Sequence, residues 1–350
     1  MDESSIRGSS DRVLFVSLGM VVLDELRFPS SPPAKDVVGG SGAYSTLGAR
    51  IAAGSSGCRN IGCLVLAGND FPQHVEEELR NWDMTIVIRK DPDKLSTRGL
   101  LQYEDDAFGP KTFKYLTQPL KPTPEYLKST PLLRSHAFHM LAKPEEMLVQ
   151  VPELFTLRLD GGVQDHPLII WEPFPASCRP ENLSAALRAC ELVDVFSPNH
   201  LQLAAFFSSG CDSHAFSQDR IQEQTLTFLN TRRQAEWHGC VAVRAGEHGC
   251  FIASNGSFRW LPPFYGPKED LAKVKDPTGA GNAFLGGFSI GFINTGESLQ
   301  AAKYGTVAAS FALEQTSLPQ RTVDAAGEKW NDSIFEERLQ ELNSRLQVTS

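Results

Sequence analysis

Short runs that are apolar on both faces alternate with amphipathic segments along most of the chain, and this alternation limits the fold more than any other feature. The runs VLFVSLG (13–19) and IGCLVLAG (61–68) have the composition of buried strands in a parallel sheet. Residues 71–82 carry an apolar residue at every fourth position, which predicts an amphipathic helix. The alternation continues through PLIIWE, RPENLSAALRACEL, VDVFS, NHLQLAAFF, a polar helix near 218–238, CVAVRAG and CFIASNG. The pattern predicts an α/β fold: a doubly wound, mostly parallel sheet with helices on both faces.

Two segments interrupt this alternation. Residues 25–38 are rich in proline, and residues 97–116 have the pattern of two strands around an acidic turn that contains Gly109 and Pro110. Together they predict a small β lid beside the main sheet. A surface hairpin without a gating role fits the same spacing, and the two interpretations remain open.

The remaining boundaries follow from composition. Residues 1–11 are polar and predict a flexible tail, and residues 12–325 are expected to form the α/β domain. Residues 326–350 predict a C-terminal helix and tail. The 4-3-4 spacing of apolar residues in SIFEERLQELNSRLQ favours packing of this helix onto the domain over an oligomer contact.

Charge and cysteine content exclude several classes of function. The 350 residues carry a net charge of −9 without a block of lysine or arginine, which argues against nucleic-acid and anionic-membrane surfaces. The longest early apolar stretch, 13–23, is too short to cross a bilayer. None of the seven cysteines forms a C-x-x-C pair, so reduced thiols are expected, and His136 and His139 are expected to be structural. The sequence predicts a cytoplasmic protein, monomer or homodimer.

The segment KVKDPTGAGNAFLGGF carries the strongest chemical signal. A break at Pro277 is followed by Gly279, Ala280 and Gly281, which lead directly into an apolar helix. The first amides of a helix have no intrahelical partner, and together with the helix dipole they attract an anion. We therefore expect a phosphate or oxyanion against the amides of residues 279–282. A glycine-rich turn that only lets the helix pack closely would explain a bare G-x-G, but not the longer string.

DPTGAGNAFLGGF resembles the C-terminal motif of the ribokinase/PfkB family of carbohydrate kinases, D-T-x-G-A-G-D-x-F. Further segments are similar to other family motifs and occur in family order from residue 13 to about 318. They are the first strand (VSLGMVVLDEL), the glycine pair (VVGGSGAYSTLGARIAAG), G-x-D-x-F-G (GCLVLAGNDFPQHVEEELRNWDM), S-P-N-x-x-E (DVFSPNHLQLAAFF) and V-T-x-G-x-x-G (VAVRAGEHGCFI). The resemblance implies a ribokinase-like fold that uses ATP and Mg²⁺ to phosphorylate a hydroxyl of a small sugar- or nucleoside-like substrate.

Transferred position by position, the resemblance implies three groups of site residues. The catalytic group is Asn282, Gly279, Ala280, Gly281 and Asp276. The substrate-binding group is Asp24, Gly39, Gly40, Tyr44 and Glu172, the last added because it ends the strand IIWEPFP. The nucleotide-binding group is Asn199, Gln202, Arg244, Gly246 and Gly249.

The chain departs from the family pattern where the chemistry is concentrated. Asn282 stands in place of the Asp base, and an amide cannot take a proton at useful pH. Gln202 replaces the Glu that organises hydrated Mg²⁺, and Tyr44 replaces a substrate-contacting Asn. A slow or atypical kinase is therefore expected, and a catalytically inactive binding or regulatory protein on the same fold is the alternative.

Individual residues keep competing interpretations. If another acid takes the proton, the candidates are Asp24, Asp276 and Glu172. The other interpretation of Glu172 is a surface acid before a proline turn. Asn199 could serve only as a helix N-cap, and Arg244, where the family has a small polar residue, either contacts a phosphate or faces solvent.

Overall fold

The central sheet joins strands from all parts of the chain. The computed structural model describes residues 12–106, 111–208, 216–231, 239–254, 256–266, 271–325 and 327–348. The sheet order is β1 (Phe15–Ser17), β8 (Ala137–Ala142), β9 (Leu168–Pro173), β10 (Val195–Phe196), β11 (Cys240–Arg244), β12 (Cys250–Ser254) and β13 (Ser257–Leu261). The pairings from β1 through β11 are parallel, and the two pairings beyond β11 are antiparallel. The predicted mostly parallel sheet is confirmed.

A second parallel pair extends this sheet at the β1 edge. It consists of β4 (Gly62–Ala67) and β5 (Thr85–Lys90). A single parallel bridge between Phe15 and Ile61 connects the pair to β1. Since every residue of β4 is buried, this strand has the continuous apolar character that its sequence predicts.

Helices cover both faces of the sheet, as predicted. One face is packed by α3 (Pro144–Asp160), α4 (Leu183–Cys190), α5 (His200–Ala205) and α6 (Gln218–Asn230). The other is packed by α1 (Gly40–Gly57), α7 (Ala280–Thr295) and α8 (Ser298–Leu313). The short α2 (Gln73–Arg80) buries Val75 and Leu79 against the β4–β5 pair. Of the predicted helix at 218–238, residues 232–238 lie outside the described residues.

Helices α1 and α7 approach each other closely, and this approach positions the site. A Cβ at Gly48 would lie 2.1 Å from the Ala283 carbonyl oxygen, and one at Gly286 would lie 1.9 Å from the Ser45 carbonyl oxygen. Only residues without a side chain permit backbone contact of this kind. The contact brings the glycine pair that precedes α1 close to the glycine-rich start of α7.

The predicted lid segments form a separate small sheet. Its order is β3 (Ala34–Gly39), β2 (Val22–Arg27), β6 (Arg98–Tyr103) and β7 (Lys111–Tyr115). The β6–β7 pair is antiparallel, as residues 97–116 predict, while β2 and β6 are parallel. The tip with Gly109 and Pro110 lies outside the described residues, as do residues 1–11 and 349–350. A gating role for this sheet stays a prediction.

The C-terminal part of the chain returns to the domain. A hairpin of β14 (Arg321–Asp324) and β15 (Gly327–Trp330) precedes α9 (Phe335–Val348). Phe335 and Leu342 are buried in the same core cluster as α1 and α8 residues. No disulfide joins the six cysteines within the described ranges, and Cys211 lies outside the described residues. No helix in the described ranges has both the length and the apolar character needed to cross a membrane.

Candidate active site

The start of α7 is shaped by a left-handed residue and an acidic side chain. Gly279 adopts φ +77°, which glycine accepts without strain, and α7 begins at the next residue. Immediately before it, Asp276 Oδ1 accepts hydrogen bonds from the Thr278 amide (2.9 Å) and hydroxyl (2.6 Å). This local turn fixes the chain immediately before the first amides of α7.

Two of the four predicted cradle amides are unpaired. The Ala280 amide donates to the Pro277 carbonyl oxygen (3.3 Å), and the Asn282 amide donates to the Gly279 carbonyl oxygen (3.0 Å). The amides of Gly279 and Gly281 have no acceptor among the described residues. The first turn of α7 can therefore offer two donors to an anion.

Asn282 belongs to a buried chain of polar side chains. Its Nδ2 donates to Glu172 Oε2 (2.5 Å), and the His139 Nε2 lies 3.2 Å from the same oxygen. The other Glu172 oxygen, Oε1, lies 2.9 Å from Arg244 Nη2. Beyond the imidazole, His139 Nδ1 lies 2.9 Å from Ser17 Oγ. Because an ionised Glu172 can only accept, His139 Nε2 carries a proton, and in the neutral imidazole Nδ1 then accepts from the Ser17 hydroxyl.

Burial and charge act in opposite directions on Glu172. Burial raises the pKa of this carboxyl group. The guanidinium of Arg244 and the imidazole of His139 lower it by more than burial raises it, so the pKa lies below its ordinary value. Glu172 is thus held as a carboxylate. Glu172 is only 6% exposed, so its interpretation as a surface acid is wrong.

Arg244 lies at the junction of this chain with α7. Besides Glu172, its Nη2 contacts the Ser197 carbonyl oxygen (2.9 Å). A Cβ at Gly281 would lie 2.5 Å from Arg244 Nη1, so the guanidinium is in contact with the first turn of α7. The residue is 9% exposed, which makes the solvent-facing interpretation wrong.

Asp276 is held by both strands of the small β sheet. Tyr103 on β6 donates its hydroxyl to Oδ2 (2.7 Å), and Lys111 on β7 places Nζ 2.6 Å from Oδ1 and against the Thr278 hydroxyl. Burial raises the pKa of Asp276, but the hydrogen bonds from Lys111, Thr278 and Tyr103 more than offset this effect and lower it. Asp276 therefore remains ionised and fully partnered.

Asp24 contrasts with the other two acids. Burial raises its pKa from 3.8 to about 7, while the nearby charge of Lys111 opposes the shift. Its Oδ1 is buried without a hydrogen-bond partner among the described residues. A Cβ at Gly39 would lie 2.1 Å from Oδ2, and one at Gly99 would lie 2.4 Å from Oδ1. The carboxyl group is confined between two glycine backbones.

Tyr44 fills the space between Asp24 and the start of α7. A Cβ at Gly279 would lie 2.2 Å from the Tyr44 ring, so the ring rests on the Gly279 backbone. Burial, followed by the charges of Asp276 and Asp24, raises the pKa of the phenol. Gly40, the other half of the glycine pair, opens α1 at φ +86°. Tyr44 therefore narrows the side of the site where an acceptor would bind.

A cleft of about 470 Å³ lies on the other side of the α7 start. Its lining combines polar and glycine residues with apolar residues such as Phe264, Val274 and Phe284. Four of the five predicted nucleotide residues, Asn199, Arg244, Gly246 and Gly249, line it together with Ala280 and Gly281, whereas Gln202 does not. An apolar pocket with a few polar groups at one end suits a nucleotide whose phosphates point towards α7.

Asn199 and Gln202 form a reciprocal cap at the start of α5. The backbone amide of Gln202 donates to Asn199 Oδ1 (2.8 Å), and the backbone amide of Asn199 donates to Gln202 Oε1 (2.7 Å). Gln202 Nε2 contacts the Pro173 carbonyl oxygen (3.2 Å). Asn199 thus caps the helix and lines the cleft. Both the oxygen and the nitrogen of the Gln202 side-chain amide are hydrogen-bonded within the protein.

The residues around the cleft suit the nucleotide but not Mg²⁺. This cation prefers carboxylate oxygens in addition to phosphates and water. Among the described lining residues the one carboxylate is Glu247, whose side chain is 81% exposed. Glu172 and Asp276 are already bound to cations of the protein. Within the described ranges no group of three or more His, Cys, Asp or Glu could hold a metal ion.

Sequence reasoning missed four members of this arrangement. His139 was expected to be only structural, and Ser17, Tyr103 and Lys111 were not identified at all. Tyr103 and Lys111 stand at the ends of short strands, and nothing in their local pattern distinguishes them from surface residues. They meet Asp276 only because the small sheet folds over the start of α7.

Comparison with known proteins agrees with this geometry. A glycine-opened helix beside a nucleotide-sized cleft of a doubly wound sheet is typical of the α/β proteins that bind phosphate groups. The model of the pfkB family carbohydrate kinases matches residues 102–322. The chain therefore belongs to the pfkB family of carbohydrate kinases, and the resemblance inferred from its motifs is confirmed.

Its relatives span a range of similarity. An uncharacterised protein of Schizosaccharomyces pombe is 33% identical over 346 residues, 95% of this chain and 93% of that protein. Protein MAK32 of Saccharomyces cerevisiae is 28% identical over 342 residues, 93% of this chain and 91% of that protein. An inositol 3-kinase of Arabidopsis thaliana is 38% identical over 81 residues, 23% of this chain and 21% of that protein.

Solved structures agree on the fold. A putative ribokinase II of E. coli in complex with ATP and Mg²⁺ superposes with a TM-score of 0.65 at 17% identity, covering 95% of this chain and 99% of that one. The ribokinase of Giardia lamblia gives a TM-score of 0.68 at 15% identity, covering 97% and 100%. At these identities the likeness shows the ribokinase-like fold alone.

Proposed function

We propose that the protein is an ATP-dependent phosphotransferase that phosphorylates a hydroxyl of a small sugar- or nucleoside-like metabolite. The observation that carries this proposal is the cleft lined by Ala280, Gly281 and Arg244, at the start of α7 where the amides of Gly279 and Gly281 are unpaired. Phosphoryl transfer depends mainly on positioning and on stabilising charge at the transferring group. Unpaired amides at a helix start and a neighbouring guanidinium can supply both.

Asp24 is the acid best placed to act on the acceptor. Glu172 and Asp276 are paired with cations and have lowered pKa values, so they are weak bases. Asp24 has a pKa of about 7 and an oxygen without a protein partner, which suits it to bind the acceptor hydroxyl and accept its proton near neutral pH.

Asn282 has an orienting role in this scheme. Its Nδ2 is fixed by Glu172, which leaves Oδ1 as the end of the amide able to accept a hydrogen bond from the acceptor hydroxyl. Since Asn282 cannot take the proton, we expect turnover slower than that of a kinase with a carboxylate here, by about 10²- to 10⁴-fold.

The acceptor belongs to the class of small polyols. Asp24 offers one carboxylate between two glycine backbones, a geometry that suits a ring bearing neighbouring hydroxyls. The local similarity to an inositol 3-kinase supports testing cyclic polyols as well as sugars and nucleosides. Tyr44 and the small β sheet would have to move to admit them.

A second candidate is a nucleotide-binding regulatory protein without turnover. It is favoured by the Tyr44 ring on Gly279 and by the contacts of Lys111 and Tyr103 with Asp276. These side chains occupy the acceptor side while the nucleotide cleft stays open.

ATP consumption against a panel of sugars, nucleosides and inositols, combined with calorimetric nucleotide binding, separates the candidates. Turnover with one polyol that falls in Asp24→Asn by about 10²-fold or more, but not in the exposed control Asp93→Asn, supports the kinase. Nucleotide binding without turnover in any mixture supports the regulatory protein. Absence of nucleotide binding rejects both.

A further inference from the structure

We propose that Arg244 supplies the positive charge at the nucleotide phosphates that a divalent cation would otherwise supply, so that this protein binds nucleoside triphosphate without Mg²⁺. The inference rests on the proposed nucleotide-binding function. It concerns one residue at which the chain departs from the family pattern and the contacts that this residue makes.

The placement of Arg244 is the first step. The guanidinium ends β11, lines the cleft and touches the first turn of α7 at Gly281. A cation at the positive end of a helix is unfavourable by itself. An anion between the guanidinium and the amides of Gly279 and Gly281 would turn this repulsion into attraction to a shared ligand.

The unpaired donors of Arg244 are the second step. Its side chain is 10% exposed, and Nη2 is occupied by Glu172 and the Ser197 carbonyl oxygen. In contrast, Nε is buried without a hydrogen-bond partner among the described residues, and Nη1 has no acceptor among them. Buried charged donors rarely remain unpaired, so the unpaired Nε, together with the Nη1 at Gly281, indicates an anionic ligand in the cleft. The planar fork of arginine suits phosphate oxygens.

The third step is the absence of competing metal ligands around the described cleft. Gln202 stands where the family resemblance implies a magnesium-organising Glu. Its side-chain amide is hydrogen-bonded to Asn199 through Oε1 and to Pro173 through Nε2. Glu172 faces Arg244 and fixes the guanidinium in place. The carboxylate that could help to organise a cation is thus lost, and a carboxylate nearby holds an arginine instead.

Calorimetric titration with ATP, in EDTA and in Mg²⁺, tests the inference on the full chain. We expect the wild-type protein to bind ATP in EDTA with little change on adding Mg²⁺. Arg244→Thr should weaken ATP binding in EDTA by about 10- to 100-fold, because it removes charge-assisted hydrogen bonds to the phosphates. Binding of adenosine, which has no phosphates, should be unchanged.

Two further variants control for folding and charge. Arg244→Thr leaves Glu172 buried without its cation, so Arg244→Thr combined with Glu172→Gln removes the pair together and should show the same loss for ATP. Arg259→Thr removes an equal charge from an exposed position on β13, outside the cleft lining, and should not alter ATP binding.

The outcomes separate this inference from the proposed function. ATP binding that requires Mg²⁺, with Arg244→Thr equal to wild type, would overturn the inference and leave nucleotide binding intact. Failure of the wild-type protein to bind ATP in either buffer would reject the proposed function itself. Equal loss of ATP and adenosine binding in the double variant would show that Arg244 supports the cleft and not the phosphates.

Discussion

At the scale of single residues, three acids around one site differ in what holds them. Glu172 and Asp276 are paired with protein cations and stay ionised, whereas Asp24 is buried without a partner at Oδ1. Their lowered and raised pKa values follow from these surroundings and not from residue type. Neighbouring titratable groups whose pKa values are shifted in opposite directions are typical of catalytic sites.

The raised pKa of Asp24 predicts a pH-dependent cost in stability. Between pH 3.8 and about 7 the folded protein holds a proton at Asp24 that the unfolded chain releases, so this group lowers stability as pH rises through that range. Above both values the cost approaches about 4 kcal/mol. We therefore expect Asp24→Asn to raise the free energy of unfolding at about pH 8 and to lose most of this advantage towards about pH 4.

Urea unfolding of wild type and Asp24→Asn across this pH range measures the effect. Asp93→Asn, the same change at an exposed position, should follow the wild-type profile. An advantage of Asp24→Asn that is constant with pH would contradict a raised pKa at Asp24.

Restoring a carboxylate at position 282 is predicted to fail by itself. In Asn282→Asp the new carboxylate would face Glu172 Oε2, to which Asn282 Nδ2 now donates at 2.5 Å. Two like charges at that distance cannot both ionise favourably, so one would keep its proton at the expense of activity or stability. We expect no gain in ATP turnover from this single variant.

The double variant Asn282→Asp with Glu172→Gln reverses the hydrogen bond. The Gln amide would donate to the new carboxylate while its oxygen still accepts from Arg244. His139 would move its proton to Nδ1, so that Nε2 can accept from the same amide nitrogen. We expect turnover to rise by about 10²-fold or more above wild type with a suitable polyol. A single variant as active as the double one would show that Glu172 does not restrict position 282.

At the scale of elements, the small β sheet and the start of α7 are joined through Asp276. Lys111 and Tyr103, from neighbouring strands, converge on this buried carboxylate. The strands themselves are short, and β7 is mostly exposed, so the contacts with Asp276 contribute much of what holds them in place.

Lys111→Met is predicted to loosen β6 and β7 without unfolding the domain. Removing the ammonium breaks a partly buried ion pair and leaves Asp276 with neutral donors only, at a cost of about 1–3 kcal/mol. Hydrogen exchange of the amides in β6 and β7 should become several-fold faster while that of the central strands stays unchanged. Lys114→Met, on the same strand but exposed, is the matched control. Equal protection in both variants would mean that Lys111 does not hold the sheet.

At the scale of the whole molecule, a buried ion pair connects the C-terminal hairpin to the helix beside the site. Arg50 of α1 is fully buried, and its Nη1 lies 3.0 Å from Glu328 Oε2 on β15. Burial raises the pKa of Glu328, but the hydrogen bonds and charges of Arg50 and Arg321 lower it overall. The pair ties residues 278 positions apart in the sequence.

Breaking this pair is predicted to destabilise the fold strongly. Glu328→Gln leaves Arg50 buried without its counter-charge and should lower the free energy of unfolding by about 3–5 kcal/mol at neutral pH. Because the folded pKa of Glu328 is lowered, the wild-type advantage is present above pH 4.5 and is lost as pH falls below it. Denaturant unfolding of both proteins from neutral to acid pH checks this.

The exposed pair of Arg80 and Glu76, also within hydrogen-bond distance at 2.8 Å, provides the control. Arg80→Met should cost less than about 1 kcal/mol, since solvent screens an exposed pair. Similar losses for the two pairs would contradict the importance of burial at Arg50.

By itself the sequence determined which segments become strands and helices, where the glycine-rich start of α7 lies, and which family the chain resembles. Local sequence patterns predict these features, because apolar periodicity and glycine turns act over a few residues. Only the tertiary structure decided that Asn282, Glu172 and Arg244 form one contact chain, that Tyr44 rests on Gly279, and that Lys111 reaches Asp276. Such contacts join residues from distant segments of the chain, and their charges and burial exist only once the sheet has brought those segments together.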